Sequence, residues 1–334
     1  MNTNSSHNKN QSDKQPLLRV EGLKTYFPIY GGLLSTLQGY VHAVDDVSFT
    51  VYRGETLGLV GESGCGKSTL AQTIMRTVPA TSGGIKMDGK DVLALSKEEL
   101  RRLRSDFQII FQDPYSSLDP RMSIGKIIEE PLLVHGVTDA QERRRRAVET
   151  MSVVGLEESY YERYPHEFSG GQRQRVSIAR SLVLYPKLML CDEPVSALDV
   201  SIQSQILNLI KKLQKQFDLT LIFISHSLNV VRHVSDRVAV MYLGKIVEIA
   251  DSEDIFNKPK HPYTKALLSA IPLPDPFLKR ERILLQGDLP SPKNPPDGCR
   301  FHTRCPEAID RCKYDSPELM DFGDGHCAAC HLLY

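Results

Sequence analysis

One glycine-rich segment restricts the fold more than any other feature of the chain. The run Gly61-Glu-Ser-Gly-Cys-Gly-Lys67-Ser68 fits the pattern G-x-x-x-x-G-K-[ST]. A short apolar run at residues 56–60 precedes it, and residues 67–77 after it have a helical composition. A strand, a glycine loop and a helix in this order direct backbone N–H groups at phosphate from a helix N-terminus. The segment therefore predicts a nucleotide-binding α/β domain rather than a chance glycine turn.

The polar residues of this loop have predicted roles in phosphate binding. Lys67 is expected to reach the β- and γ-phosphates, and the Ser68 hydroxyl is expected to bind Mg²⁺. Cys65 is interpreted as a small residue that fits the loop, although a helix N-terminus can also make a thiol reactive. The predicted ATP contacts of the loop are Gly61, Glu62, Ser63, Gly64, Cys65, Gly66, Lys67, Ser68 and Thr69.

An apolar strand that ends in two carboxylates supplies the predicted catalytic groups. The run Leu188-Met-Leu-Cys-Asp192-Glu193 has this form. We expect Asp192 to hold Mg²⁺ and Glu193 to act as the general base toward the attacking water. Two acids at a strand end would be structural in isolation, but a phosphate loop in the same chain favours these converging roles.

The charge balance and the apolar runs limit the possible partners. Lys plus Arg and Asp plus Glu each number 41, so no net field draws the whole chain to nucleic acid or anionic lipid. The run Arg143-Arg-Arg-Arg146 is interpreted as an exposed helix face, since Glu142 and Glu149 accompany it, and no nucleic-acid partner is predicted. Uninterrupted apolar runs stay far below the ~18 residues that span a bilayer. We expect a cytosolic chain that reaches the membrane only through a partner.

The order of predicted elements indicates an α/β core with a helical insertion. Strand patterns at residues 17–27, 44–51, 56–60 and 107–111 give way to helical segments between residues 123 and 184. Strands and helices then alternate up to residue 243, which is typical of a parallel sheet with crossover helices. The predicted divisions are a disordered tail at residues 1–16, a nucleotide-binding domain at 17–255 with a helical subdomain at about 115–184, and a loop-rich C-terminal module at 256–334.

A second glycine-bearing turn suggests a second phosphate contact. The run Phe168-Ser169-Gly170-Gly171-Gln172 begins a predicted helix, and one nucleotide cannot obviously use both turns of one subunit. Taken alone, this turn would be a helix cap. Together with the phosphate loop and the two carboxylates, however, this turn makes the chain resemble the ABC ATPase family, whose signature is Leu-Ser-Gly-Gly-Gln. The resemblance implies that Ser169, Gly170, Gly171 and Gln172 contact the γ-phosphate of ATP bound to another subunit in a head-to-tail pair.

Other family motifs follow in the expected order. Gln112 matches the Q-loop, which senses Mg²⁺ and water and couples to the membrane subunit. Asp199 matches the D-loop across the dimer, and His226 matches the switch histidine that orients the γ-phosphate. The family also stacks an early aromatic residue on adenine. Tyr26 matches this position best, and Phe27 and Tyr40 remain open alternatives.

The resemblance completes the predicted site and fold. The predicted catalytic residues are Lys67, Glu193 and His226, and the predicted Mg²⁺ ligands are Ser68, Gln112 and Asp192. The implied fold class is α/β, with a RecA-like P-loop NTPase core, an antiparallel β subdomain, an inserted helical subdomain and a small cysteine-containing C-terminal module.

The C-terminal part narrows the branch of the family. Pro259-Lys-His261-Pro262-Tyr263-Thr264, Pro290-Ser-Pro292 and Gly298-Cys-Arg-Phe-His-Thr-Arg-Cys305 resemble the C-terminal module of peptide and nickel importers. This resemblance implies ATP-driven uptake of oligopeptides or dipeptides, with nickel as an alternative cargo. It also implies a heterodimer with a similar ATPase, two membrane permeases and an extracellular binding protein, at the cytoplasmic face of the plasma membrane.

Cysteines concentrate in the same module. Five of the seven follow Asp297, and Cys299, Cys305, Cys312 and Cys330 match the cysteine pattern of the family. Four thiolates suit a [4Fe–4S] cluster or a tetrahedral zinc ion. A cluster that staples a loop-rich segment is favoured, zinc and free structural thiols remain open, and Cys327 is interpreted as an extra cysteine.

Two functions of other classes remain as alternatives. One is an ABC ATPase without a permease that acts on ribosomes or DNA, although such proteins usually have two cassettes or a long coiled-coil insertion. The other is an iron–sulfur enzyme that happens to bind a nucleotide.

Overall fold

The computed structural model describes residues 15–31, 35–113, 115, 117–271 and 282–334. The predicted disordered tail therefore lies outside the described residues up to position 14. Within the described ranges, no helix combines the length and the hydropathy needed to cross a membrane.

Strands and helices alternate along most of the chain. The strands are β1 (Pro16–Gly31), β2 (Thr36–Tyr52), β3 (Thr56–Val60), β4 (Ser82–Met87), β5 (Lys90–Asp91), β6 (Phe107–Ile110), β7 (Leu188–Asp192), β8 (Thr220–Ile224), β9 (Arg237–Tyr242), β10 (Lys245–Asp251), β11 (Met320–Asp321) and β12 (Cys327–Ala328). The helices are α1 (Lys67–Ile74), α2 (Lys97–Leu103), α3 (Ile124–Val134), α4 (Ala140–Val153), α5 (Gly170–Leu182), α6 (Val200–Phe217), α7 (Leu228–Val234), α8 (Ser252–Asn257) and α9 (Pro262–Ser269).

The main sheet has the strand order β11-β12-β10-β9-β3-β8-β7-β6. Strands β9, β3, β8, β7 and β6 run parallel to one another. Every residue of β3, β7, β8 and β9 is buried, as expected for parallel strands that helices cover on both faces. The predicted α/β core is confirmed.

A smaller antiparallel sheet of order β2-β1-β4-β5 stands beside the main one. It shares a hydrophobic core with α1, to which Leu23, Val47, Ile85 and Leu70 contribute fully buried side chains. This sheet is the antiparallel β subdomain that the resemblance implied. Strand β4 was missed in the sequence because Gly83 and Gly84 interrupt its alternating pattern.

Helices α3, α4 and α5 pack together in the region where an inserted helical subdomain was predicted. Ile128, Ala147, Met151 and Val176 are completely buried between them. The arginines of α4 pair with neighbouring carboxylates instead of forming an open basic surface. Arg145 contacts Glu142 and Glu149, Arg146 contacts Glu142, and Arg144 contacts Glu162.

The C-terminal module packs directly on the nucleotide-binding part. Strand β12 extends the main sheet beside β10, with Ala328 opposite Glu248 and Cys327 opposite Ile249. Tyr263 and Phe301 are buried in the same hydrophobic core as the main sheet. The module therefore shares a hydrophobic core with the residues that precede it, although its sequence is rich in loops.

Candidate nucleotide-binding site

The phosphate loop turns between β3 and α1 with a backbone that requires glycine. Gly64 and Gly66 have φ angles of 79° and 107°, in the left-handed region. A Cβ atom on Gly66 would lie 2.0 Å from the carbonyl oxygen of Ala43, so any side chain would push the loop away from β2. The loop can therefore hold its compact shape only with glycine at this position.

Lys67 is held inside the loop. Its Nζ donates to the carbonyl oxygens of Gly61 at 2.8 Å and Glu62 at 2.9 Å, and it also contacts Cys65 Sγ at 3.6 Å. Burial raises the pKa of Cys65 although the Lys67 charge opposes the shift, which keeps the thiol protonated. A buried, protonated thiol fits the interpretation of Cys65 as a small packing residue.

Ser68, at the end of the phosphate loop, contacts Asp192. The Ser68 hydroxyl donates to Asp192 Oδ1 at 3.0 Å, which joins the start of α1 to the end of β7. Burial raises the pKa of Asp192, whereas the hydrogen bond from Ser68 opposes that rise. A hydroxyl and a buried carboxylate side by side are oxygen ligands of the kind that Mg²⁺ uses beside nucleotide phosphates.

Glu193 brings the remaining catalytic candidates together. Its Oε2 accepts a hydrogen bond from Gln112 Nε2 at 3.2 Å and lies 3.1 Å from His226 Nδ1. Its backbone adopts φ 48°, while its N–H donates to Ile224 O at 3.0 Å. A non-glycine residue in this conformation costs about 1 kcal/mol, and such strain is characteristic of functional sites.

These groups surround one cleft with a volume of about 660 Å³. The cleft is lined by Phe27, Val41, Ala43, Ser63, Gly64, Gly66, Lys67, Ser68, Thr69, Gln112, Glu193, His226 and Pro292. The structure therefore gathers the predicted phosphate loop, Gln112, Glu193 and His226 around one space large enough for a ligand. Asp192 joins it through its hydrogen bond to Ser68.

The aromatic residue at the cleft is Phe27, one of the open alternatives. Phe27 remains 39% exposed, which leaves ring surface available to a ligand. Tyr26, the first choice from the sequence, lies outside the described lining. Its hydroxyl donates to Asp45, and its ring centroid lies 4.3 Å from that of His42. Because side chains alternate along β1, these two neighbours face opposite sides of the sheet.

Pro292 is a lining residue that sequence reasoning missed. Its carbonyl oxygen accepts a hydrogen bond from His42 N at 2.9 Å, which holds the C-terminal segment against β2. The signal in the sequence was the run Pro290-Ser-Pro292, which indicated a family branch but no contact with the cleft. Only the folded chain brings this distant segment to the nucleotide site.

The predicted signature turn lies elsewhere on the described surface. Ser169 Oγ accepts from Gln172 N at 3.4 Å, and Gln172 Oε1 accepts from Ser169 N at 3.0 Å, which forms a capping box at the start of α5. Gly171 packs so close to Ile202 that a Cβ atom would approach Cγ2 to 2.6 Å. Ser169 and Asp199 are exposed. A turn so placed is available to a second molecule.

The four cysteines of the predicted metal centre neighbour one another. The pKa of Cys299 is raised to about 11, chiefly by burial; the charges of Cys312, Cys305 and Cys330 contribute to this rise, and a hydrogen bond from the backbone of Phe301 opposes it. Burial also raises the pKa of Cys327, but the charges that act on this thiol are those of Asp321, Arg237 and Lys260 rather than those of the other cysteines. All seven cysteines, which lie within the described ranges, are free. Among the described residues, however, no group of three or more Cys, His, Asp or Glu side chains is placed to hold a single metal ion.

Two family models match separate parts of the chain. The model described as "ABC transporter" matches residues 44–196, and the model described as "Oligopeptide/dipeptide transporter, C-terminal region" matches residues 247–312. The first region contains the phosphate loop, Gln112, the signature turn and Glu193. The second contains Cys299, Cys305 and Cys312.

Two peptide-transport ATP-binding proteins of Bacillus subtilis are similar to this chain over nearly its whole length. The oligopeptide transport ATP-binding protein AppF of Bacillus subtilis is 52% identical over 96% of this chain and 98% of its own. The putative oligopeptide transport ATP-binding protein YkfD of Bacillus subtilis is 52% identical over 95% of each chain.

Solved structures share the fold of the nucleotide-binding part. The dimeric ATP-binding cassette MJ0796, in a post-hydrolysis state with ADP and Pi, superposes with a TM-score of 0.63 at 29% identity, over 71% of this chain and 99% of that one. The protein cbiO1 from Clostridium perfringens, part of the ABC transporter complex cbiONQ, gives 0.63 at 29% identity, over 73% and 92% of the two chains.

Proposed function

Because the chain belongs to the ABC transporter ATPase family, we propose that it is the ATP-hydrolysing subunit of a peptide importer. The observation that carries this proposal is the single cleft in which the phosphate loop, Gln112, Glu193 and His226 converge. Side chains of these types have roles in phosphoryl transfer to water, and the family model described as "ABC transporter" matches residues 44–196, which include the loop, Gln112 and Glu193.

In the proposed reaction, the loop amides and Lys67 bind the β- and γ-phosphates. Mg²⁺, when bound beside Ser68, Gln112 and Asp192, would neutralise charge on the phosphate oxygens. Glu193 accepts a proton from the attacking water, and Gln112 and His226, which both contact Glu193 Oε2, orient the water and the γ-phosphate. Phe27 takes the adenine ring, with Pro292 beside it.

The signature turn is proposed to serve a second ATPase subunit. Residues 169–172 present a helix N-terminus and exposed polar groups on a face other than the cleft. A head-to-tail heterodimer would bring this turn and Asp199 to the partner's nucleotide, and the partner's turn to this cleft. ATP would then hold the two subunits together, and hydrolysis would release them.

Peptides are the proposed cargo because both relatives named above are oligopeptide transport proteins and the C-terminal family model is that of oligopeptide and dipeptide transporters. Nickel remains the alternative cargo. The chain would dock on two permeases at the cytoplasmic face of the membrane, and an extracellular binding protein would deliver the cargo. A role on ribosomes or DNA has less support, since the arginines of α4 are paired with Glu142, Glu149 and Glu162.

We also propose that Cys299, Cys305, Cys312 and Cys330 hold a [4Fe–4S] cluster, with zinc as the alternative. The support is that Cys299 lies within reach of the charges of Cys312, Cys305 and Cys330, that all four thiols are free, and that they lie in a segment with few regular elements. When bound, the cluster would cross-link this segment rather than take part in ATP hydrolysis. Cys327, the first residue of β12, would stay outside it, since its Sγ donates to Gly325 O at 3.8 Å.

Purification from detergent-solubilised membranes tests the proposed function. A tagged chain is expected to retain two permeases and a second ATPase, and cells that carry Glu193→Gln are expected to lose uptake of labelled peptides. A complex that contains ribosomes or DNA but no permease would contradict the transport role. Loss of nickel uptake with normal peptide uptake would transfer the proposal to the alternative cargo.

A further inference from the structure

An arginine of the C-terminal module forms an ion pair with a residue of the phosphate loop. Arg304, which directly precedes Cys305, faces Glu62, the second residue of the loop. Arg304 Nη1 lies 2.7 Å from Glu62 Oε2, and Nη2 lies 3.1 Å from Oε1. The side chain of Arg304 is 10% exposed and that of Glu62 is 28% exposed. A forked, charge-assisted contact in this partly buried setting is stronger and less screened than a surface ion pair.

The backbone of the same residue is held by a tyrosine of α9. The N–H of Glu62 donates to the Tyr263 hydroxyl at 3.0 Å. Tyr263 is fully buried, and its ring centroid lies 5.3 Å from Phe301 and 4.7 Å from Tyr242. Both the carboxylate and the peptide group of Glu62 are thus fixed by residues that follow β10 in the sequence.

A second arginine is linked to the phosphate loop through the turn between β9 and β10. Arg300, which directly follows Cys299, donates to the carbonyl oxygen of Leu243 and pairs with Asp45. The next residue of that turn, Gly244, donates its N–H to Cys65 O at 2.9 Å. The turn between β9 and β10 therefore links Arg300 to the middle of the phosphate loop.

We propose that residues 299–305 brace the phosphate loop, and that Arg304 is a positioning residue for ATP binding which acts through Glu62. The loop binds phosphate through N–H groups whose directions depend on its backbone, and Glu62 directly precedes Ser63 and Gly64, which line the cleft. A glycine-rich loop without the brace would have to become ordered on binding, and this ordering lowers affinity. The inference deepens the proposed ATPase function and rests on it.

The test is a comparison of KM and kcat for ATP hydrolysis in the purified complex of this chain, the second ATPase and the permeases. Because Asp192, Glu193 and His226 are untouched, Arg304→Gln is expected to raise the KM for ATP by roughly 5- to 30-fold while kcat changes by less than about twofold. The dissociation constant for a fluorescent ATP analogue should rise in parallel. Arg304→Lys, which keeps the charge but loses the fork, should lie between wild type and Arg304→Gln.

Arg311→Gln is the matched control, since Arg311 also neighbours a proposed cluster ligand, Cys312. It pairs with Asp315 at 2.8 Å on an exposed surface, and 55% of its side chain is accessible. Removal of this arginine should leave the KM at the wild-type value. A rise equal to that in Arg304→Gln would mean that any disturbance of the module weakens ATP binding, and would overturn the specific role of Arg304.

Glu62→Gln approaches the same contact from the loop and changes no residue of the module. It should raise the KM as Arg304→Gln does, and the double variant should be no weaker than either single variant, because both remove one interaction. If Arg304→Gln unfolds the module, Glu62→Gln still decides. An unchanged KM in an active Glu62→Gln enzyme, or fully additive effects, would overturn the brace. Absence of hydrolysis in the wild-type complex would instead contradict the proposed function.

Discussion

Glu193 Oε2 lies 3.1 Å from His226 Nδ1, although the two residues follow different strands of the main sheet. Glu193 ends the run that begins with β7, and His226 follows β8, the parallel neighbour of β7. The carboxyl ends of adjacent parallel strands meet at one edge of the sheet, which is where ligands bind in open α/β folds. The topology therefore places the proposed base beside the residue proposed to orient the γ-phosphate.

The first prediction concerns Glu193. Glu193→Gln keeps the hydrogen-bonding shape but cannot accept the proton of water, so ATP hydrolysis should fall about 10²- to 10⁴-fold while ATP binding persists. ATP-dependent association with the partner ATPase should also persist, because the nucleotide is no longer consumed. Phosphate release and size-exclusion chromatography check these two results. The exposed Glu158 offers a control, since Glu158→Gln should behave as wild type. Hydrolysis near the wild-type rate would remove Glu193 as the base.

The second prediction separates two neighbouring aromatic residues. Phe27→Ala should raise the dissociation constant for ATP by roughly 5- to 100-fold, because stacking of an aromatic ring on a base contributes about 1–3 kcal/mol. Tyr26→Phe keeps the ring and loses only the hydroxyl that contacts Asp45, so its effect should stay within about threefold. Calorimetry with ATP measures both. An unchanged dissociation constant in Phe27→Ala would contradict the adenine contact of Phe27.

The third prediction concerns acid stability through His261, the N-cap of α9. Its Nδ1 accepts a hydrogen bond from Tyr263 N at 3.0 Å and so carries no proton. Burial lowers the pKa of His261 to about 4, while the charge of Glu248 opposes this shift and that of Lys265 assists it. The unfolded chain therefore takes up the proton first as the pH falls. The free energy of unfolding should decrease between pH 6.5 and 4, by at most about 1.4 kcal/mol per pH unit from this group.

A variant that caps without titrating provides the comparison. His261→Asn retains an oxygen acceptor for Tyr263 N but has no ionisable ring. Its stability at pH 7 should be lower than that of the wild type, because a buried ring is lost, whereas its decline toward pH 4.5 should be shallower. Urea unfolding at several pH values measures both slopes. Equal slopes would show that His261 does not control acid stability.

The fourth prediction concerns the cysteine module. Protein purified without oxygen should show the visible absorption of an iron–sulfur cluster and contain about four iron atoms per chain. Cys312→Ser should lose both, whereas Cys327→Ser should keep them, because different charges act on Cys327. One zinc atom and no iron would select the zinc alternative. A wild-type protein without either metal would leave the four cysteines as free structural thiols.

The catalytic edge of the cleft could be predicted from the sequence because its chemistry lies in short contiguous motifs. The phosphate loop, the strand that ends in Asp192 and Glu193, and the turn at Ser169 each combine an element boundary with the reacting side chain. The capping box at Ser96 and Glu99, which opens α2, is local in the same way, since its partners are three residues apart.

Contacts between distant segments could not be predicted in this way. Pro292 reaches the cleft, and Arg304 reaches Glu62, only because the C-terminal module shares a core with the main sheet through Tyr263 and Phe301. The sequence indicated a loop-rich C-terminal module at residues 256–334, but no short motif in it indicated these contacts. The choice between Tyr26 and Phe27 was difficult for another reason, since the register of β1 is shifted by irregularities between Val20 and Tyr26.

The central claim is that this cleft is completed by the signature turn of a second subunit, while the turn at Ser169 serves that subunit in return. The most direct measurement is ATP hydrolysis by the purified complex of both ATPases and the permeases, with Ser169→Arg in this chain. Turnover at the partner's cleft is predicted to fall at least about tenfold, because a bulky cation replaces a phosphate-binding cap. The affinity of this chain alone for ATP should stay at the wild-type value. Undiminished turnover at the partner's cleft, or a matching loss of ATP affinity in the isolated chain, would contradict the claim.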